Sequence, residues 1–127
     1  LYEKYLSDSE NFLYTPTLIH ADFSDDHILW DKDVKRITGI IDFGDINIGD
    51  PDYDLMYLYE EWGEEDVRYL LKYYPHENHE RLFKKLEFFK RADTIQLALI
   101  GISRKDGSIL QNALATIETE RNTFIPD

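Results

Sequence analysis

Apolar positions along the chain follow two rhythms. Short apolar runs come first: Thr17-Leu18-Ile19, Ile28-Leu29-Trp30, and Ile37 to Ile41. Such runs, rich in β-branched and aromatic residues, predict strands, the first of them buried. Asp31-Lys32-Asp33 reads as a turn, so the second and third runs predict a hairpin. After Pro51 the period lengthens. Tyr53 to Trp62 is apolar with acids at its end. Val67, Leu70, Leu71 and Tyr74 recur at helical spacing over Glu64 to Tyr74, and Pro75 stops that helix. Leu82, Leu86 and Phe89 carry the period into a helix running to about Ile102. Leu70, Leu82, Leu86, Phe89 and Leu97 are expected to be buried together. Asp106-Gly107-Ser108 reads as a break and Ile109 to Thr119 as a final helix. Residues 1–8 read as the end of a helix, broken at Asp8-Ser9-Glu10-Asn11. The pattern predicts a small strand patch followed by helices, and 127 residues suit one domain with a real core.

Composition narrows the partners. Acidic residues outnumber basic ones 26 to 14, a net charge of −12. That field repels nucleic acid and anionic membrane and attracts polycations, although a well-solvated surface carries the same charge. No apolar run approaches the roughly 20 residues of a membrane span. No nucleic-acid or membrane partner is therefore expected. Cysteine is absent, which removes disulfides and thiolate metal sites and fits a reducing compartment; a cytoplasmic location is expected. The opening Leu1-Tyr2-Glu3-Lys4 lacks the basic-then-apolar pattern of a signal peptide. Because the first residue is Leu rather than Met, the chain is read as a piece of a longer protein.

The segment His20-Ala21-Asp22-Phe23-Ser24-Asp25-Asp26-His27 concentrates the chemistry. It sets a carboxylate on a loop just after a strand, with a second metal-capable group five residues on. A further carboxylate, Asp42, ends the next strand pair in Gly39-Ile40-Ile41-Asp42-Phe43-Gly44-Asp45. Phosphoryl transfer uses such a set: one carboxylate orients the attacking hydroxyl and accepts its proton, while other ligands hold Mg²⁺ against the phosphates. Plainer roles fit the same residues, with Asp22 and Asp42 capping turns and His27 packed against a carbonyl. His76 and His79 read as solvated residues of a polar turn. The acids Glu60, Glu61, Glu64, Glu65 and Asp66 read either as a solvated face at a helix junction or as a cation-binding loop.

Taken together, His20-x-Asp22-x-x-x-x-His27 and Ile41-Asp42-Phe43-Gly44-Asp45 resemble the paired signature of aminoglycoside phosphotransferases and the wider protein-kinase-like group. Asp50-Pro51-x-x-Asp54 follows, as it does in these antibiotic kinases. Most of the group has Asn where this chain has His27; a His there is similar to the 2″-aminoglycoside branch and to macrolide phosphotransferases. The resemblance implies an α+β fold, a kinase-like C-terminal lobe over residues 1–127. It would be mainly helical, with a small antiparallel strand patch carrying the catalytic loop. It implies Asp22 as catalytic base and His27 and Asp42 as Mg²⁺ ligands. His20, Asp50 and Asp54 would support the loop, and Asp45, Glu60 and Glu61 would bind substrate ammonium groups. The implied reaction is O-phosphorylation of an aminoglycoside, with ATP or GTP as donor and Mg²⁺ as cofactor. No Gly-rich phosphate loop and no strand lysine is found, so the N-terminal nucleotide-binding lobe of the same protein is expected outside this chain, and the isolated fragment is expected to be inactive. Other readings stay open: a kinase of a macrolide, choline or another metabolite; a hydrolase gathering His20, Asp22, His27 and Asp42 on one transition metal; or a non-catalytic drug-binding fragment.

Overall fold

A computed structural model describes residues 2–123. Leu1 and residues 124–127, included in the span expected for the lobe, lie outside the described residues. The elements in order are α1 (Tyr2–Ser7), β1 (Thr17–Ile19), β2 (Ile28–Asp31), β3 (Arg36–Ile40), β4 (Asn47–Gly49), α2 (Met56–Trp62), α3 (Glu64–Leu70), α4 (His79–Arg104) and α5 (Gly107–Thr123). Short 3-10 turns occupy Asp25–His27, Phe43–Asp45 and Pro51–Leu55. The architecture is the α+β arrangement of a kinase-like lobe, mainly helical with small antiparallel sheets. The chain divides into two compact units, residues 1–88 and 89–127, with the boundary inside α4.

The strands of the first unit form two antiparallel pairs. β2 and β3 make the hairpin, with an irregularity between Leu29 and Trp30. Asp31 builds its turn by accepting the backbone N–H groups of Asp33 (2.9 Å) and Val34 (3.1 Å). β1 pairs with β4, Thr17 opposite Gly49 and Ile19 opposite Asn47. The burial expected for β1 holds only at Ile19, since Leu18 is 63% exposed and its cross-strand partner Ile48 is 61% exposed. The reason is geometric. Successive side chains of a strand face opposite ways, and besides β4 the main neighbour of β1 is the 51–55 turn.

The helical core lies beneath. Met56 and Leu58 of α2, Val67 of α3, and Leu82 and Leu86 of α4 are almost wholly removed from solvent. Gly63, with φ of +85°, makes the corner between α2 and α3. The helix expected to reach Tyr74 ends at Leu70. There the Leu70 carbonyl accepts both Tyr73 N–H (2.9 Å) and Tyr74 N–H (3.0 Å), and Tyr74 precedes Pro75, which disfavours the helical conformation. α4 starts at a cap: Asn78 Oδ1 accepts Arg81 N–H at 3.0 Å. Leu70 and Phe89 are half-buried, and Leu97 is exposed rather than buried with them.

In the second unit α4 and α5 approach closely at Gly101, where an added Cβ would stand 2.7 Å from Leu110 N. Ala98 and Ala113 are its buried apolar side chains. Asp106 lies in the expected break, between α4 and α5, and caps the start of α5. Its Oδ1 accepts Ser108 N–H (3.0 Å), the Ser108 hydroxyl (2.9 Å) and Ile109 N–H (3.2 Å). α5 accordingly starts two residues earlier than the apolar spacing suggested and runs to Thr123.

Candidate active site

β1 delivers the chain to His20 and Ala21, where a distant carboxylate takes hold of it. Asp54 Oδ2 accepts His20 N–H at 2.9 Å and Oδ1 accepts Ala21 N–H at 2.8 Å. Ala21 adopts a left-handed φ of 65°, a conformation costing about 1–2 kcal/mol for a residue with a Cβ. The two charge-assisted hydrogen bonds from Asp54 offset that cost. Such strain collects where function needs one backbone direction. Here it sets the exit of the chain into Asp22.

His20 is buried and fastens this loop to the end of the hairpin. Its Nε2 donates to the Ile41 carbonyl at 2.8 Å, and its ring lies 4.7 Å from that of Phe43 and 5.6 Å from that of Phe23. The next residue, Asp42, is also left-handed, with φ of 61°. A Cβ at Gly44 would come within 3.4 Å of Asp42 Oδ1, so the glycine leaves the carboxylate room. Two non-glycine residues with positive φ thus flank the site, one on each side.

His27 stands between the carboxylates. Its Nδ1 lies 3.7 Å from Asp22 Oδ2, and its Nε2 lies 3.7 Å from Asp42 Oδ2. Nδ1 is committed as a donor to the Asp22 carbonyl at 2.7 Å. Nε2 therefore presents its lone pair toward Asp42 when the ring is neutral. That carbonyl contact, with the negative charges of Asp22, Asp42 and Asp26, raises the His27 pKa above its ordinary value, against the opposing effect of burial. Asp42 is 63% exposed and Asp22 35%, so both reach solvent. Donors binding one Mg²⁺ at about 2.0–2.1 Å lie about 3–4 Å apart, which the Nε2–Oδ2 pair satisfies. Among the described residues no group of three or more His, Asp or Glu is poised to hold a metal by itself. His20 Nε2 and His27 Nδ1 are both spent on backbone carbonyls, which leaves Nε2 as the His27 nitrogen facing Asp42.

The other expected residues divide. Glu61 reaches back to the loop, its Oε2 accepting Asp25 N–H at 2.9 Å. Partial burial raises its pKa, the Asp25 N–H opposes this, and the charges of Asp25 and Asp26 add to the rise. Asp45 and Glu60 are exposed. Asp50 caps the 51–55 turn, accepting Asp52 N–H at 3.1 Å. Sequence reasoning passed over its neighbours. Lys85 is buried with Nζ 2.6 Å from Asp50 Oδ2 and 2.5 Å from Asp52 Oδ2. His76, read as solvated, instead donates Nε2–H to Asp52 Oδ1 at 3.1 Å. A signal for Lys85 did exist: it falls on the helical stripe of Leu82 and Leu86, where a lysine needs a buried partner. Burial, then the charges of Asp50, Asp52 and Asp8, push the Tyr5 hydroxyl up to about 12, and burial with the charges of Asp52, Asp54 and Asp50 also raises Tyr74. Among the described residues no helix is long and apolar enough to cross a membrane.

This geometry has counterparts in known proteins. Residues 6–89 match the phosphotransferase enzyme family. Over 73 residues the chain is 32% identical to the uncharacterized protein YcbJ of Bacillus subtilis (strain 168), covering 58% of this chain and 24% of that protein. Over 53 residues it is 34% identical to viomycin phosphotransferase of Streptomyces vinaceus, covering 40% of this chain and 18% of the relative. The solved GDP and kanamycin complex of APH(2″)-IIIa superposes with a TM-score of 0.89 at 32% identity, over 98% of this chain and 42% of that one. The chain therefore spans well under half the length of each of these proteins. With two thirds of its residues matched, the chain belongs to the phosphotransferase enzyme family.

Proposed function

We propose that this chain is the catalytic, substrate-binding lobe of a nucleotide-dependent kinase that phosphorylates a hydroxyl of an aminoglycoside, and so confers antibiotic resistance. The observation carrying the reading is His27 held between Asp22 and Asp42, 3.7 Å from each carboxylate, with one ring nitrogen anchored and the other free to bind metal. Asp22 orients the acceptor hydroxyl and takes its proton as the oxygen attacks the terminal phosphorus of ATP or GTP, the bond from that phosphorus to the β-phosphate oxygen breaks, and the nucleoside diphosphate leaves. His27 Nε2 and Asp42 Oδ2 would hold Mg²⁺, which would supply charge neutralisation at the phosphate oxygens. His20, Asp50 and Asp54 fix the loop that presents Asp22. The GDP in the solved relative supports a nucleotide donor, and its kanamycin supports a polycationic acceptor. Asp45, Glu60 and Glu61, within a −12 background, supply carboxylates for substrate ammonium groups. Glu61 can do so only alongside its bond to Asp25 N–H. The phosphate-covering N-terminal lobe belongs to the rest of the same protein.

The test is turnover of kanamycin by the full-length protein carrying this chain, with Mg²⁺ and either nucleotide. Asp22→Ala is expected to lower kcat by about 10²-fold or more while drug affinity stays nearly constant, since base and orientation effects act in the transition state. Near-normal turnover in that variant would remove Asp22 as the base. Tighter, salt-insensitive binding of a macrolide would move the substrate class.

A further inference from the structure

Lys85 itself has no role in the chemistry just described, yet among the described residues of the first unit it is the most deeply buried charge. The Lys85 residue is 3% exposed and Asp52 6%. Burying such ions costs several kcal/mol each before pairing, and an apolar pair of similar volume often holds two elements equally well. What ions add is a fixed direction. Lys85 Nζ spans Asp50 Oδ2 at 2.6 Å and Asp52 Oδ2 at 2.5 Å, the residues at the start of the 51–55 turn. Asp52 is gripped from its other oxygen by His76 Nε2–H at 3.1 Å. The His76 tautomer is fixed in turn, because its Nδ1 accepts Asn78 N–H at 3.1 Å. Two residues beyond Asp52, Asp54 holds the amides of His20 and Ala21. An unbroken set of contacts thus runs from the start of α4 to the strained residue preceding Asp22.

We propose that Lys85 is a positioning residue for phosphoryl transfer. By locking Asp50 and Asp52 it fixes the orientation of the 51–55 turn. Through Asp54 it keeps Ala21 left-handed and Asp22 aimed. This inference rests on the reading of Asp22 as the base. A lysine that only ties α4 to the turn would support stability and nothing more.

The experiment uses the full-length protein and two readouts: backbone amide exchange at His20 and Ala21 relative to the Leu58 amide in α2, and steady-state kinetics. Lys85→Met alone leaves two buried carboxylates without a cation and risks misfolding, so the charge-balanced pair Lys85→Met with Asp52→Asn is measured beside it. Leu82→Ala serves as comparator, since it weakens the same helix without touching the cluster. In the charge-balanced variant, exchange at His20 and Ala21 is expected to rise about 10-fold relative to Leu58. Its kcat should fall about 10–100-fold with KM for nucleotide and drug nearly unchanged, the size expected when a reacting group is misplaced by about 1 Å. Unchanged relative exchange, an unchanged kcat, or an equal loss in Leu82→Ala would each overturn the proposal. A parent protein inactive on every aminoglycoside would count against the proposed function alone, and the exchange ratio would still decide whether Lys85 orders the loop.

Discussion

The two units of the chain are held together by different means, although α4 contributes to both. In residues 1–88 the helix supplies large side chains, Leu82 and Leu86, and the buried cation Lys85. In residues 89–127 it supplies Ala98 and Gly101, and the backbone of α5 comes close enough that a single added methyl would meet Leu110. Bulk and charge fix directions in the first unit, where the loop carrying Asp22 is anchored. Smallness sets spacing in the second. Cores of the first kind lose stability when atoms are removed, and contacts of the second kind lose it when atoms are added.

That contrast can be broken by substitution, and the largest effect is expected first. Leu86→Ala should cost about 2–5 kcal/mol, the range for emptying a well-packed leucine site. Denaturant unfolding monitored through the Trp residues reads it; a loss under about 1 kcal/mol would mean that this site collapses freely and is not rigid. Gly101→Ala should cost about 1–3 kcal/mol by overpacking, even though alanine is the better helix former by about 1 kcal/mol. A stabilised Gly101→Ala protein would show that α4 and α5 can separate at no cost. Smallest is the cap of α5. Three hydrogen bonds hold the Asp106 carboxyl below its ordinary pKa, the Ile109 N–H most of all. A depressed folded-state pKa gives stability that is complete above the ordinary value and disappears as pH falls through the folded one. Asp106→Ala should therefore lower Tm by a few degrees at pH 7, and the gap from the parent should close in strong acid. A gap that persists undiminished at the lowest pH would mean the cap acts through something other than its charge.

The legibility of the sequence follows the same division. The loop from His20 to His27 and the hairpin carrying Asp42 were readable because their chemistry is local: a short apolar run, then a chemically loaded loop. β4 was not, since Asn47-Ile48-Gly49 is too short and too polar to register alone and pairs with residues 30 positions earlier. Lys85, Asp52 and His76 were missed for a related reason. Asp52 and His76 look solvated in their own neighbourhoods, Lys85 is marked only by its place on an apolar stripe, and their partnership joins residues 24 and 33 positions apart. β1 looked buried because apolar content was read without the number of strands; in a two-stranded sheet Leu18 remains exposed. Asp106 sits in the break that Asp-Gly-Ser suggests, between α4 and α5, and its carboxylate also caps the second helix.

Ala21, finally, constrains how this loop can change by mutation. Single base changes in an alanine codon lead to Val, Thr, Pro, Ser, Glu, Asp or Gly. At φ of 65° the β-branched pair is strongly disfavoured and proline is forbidden by its ring. Glycine fits without strain. Aspartate tolerates the left-handed region, but it would seat a second carboxylate directly beside Asp22. Of these replacements glycine alone relieves the strain, and it exchanges a preset loop for a floppier one.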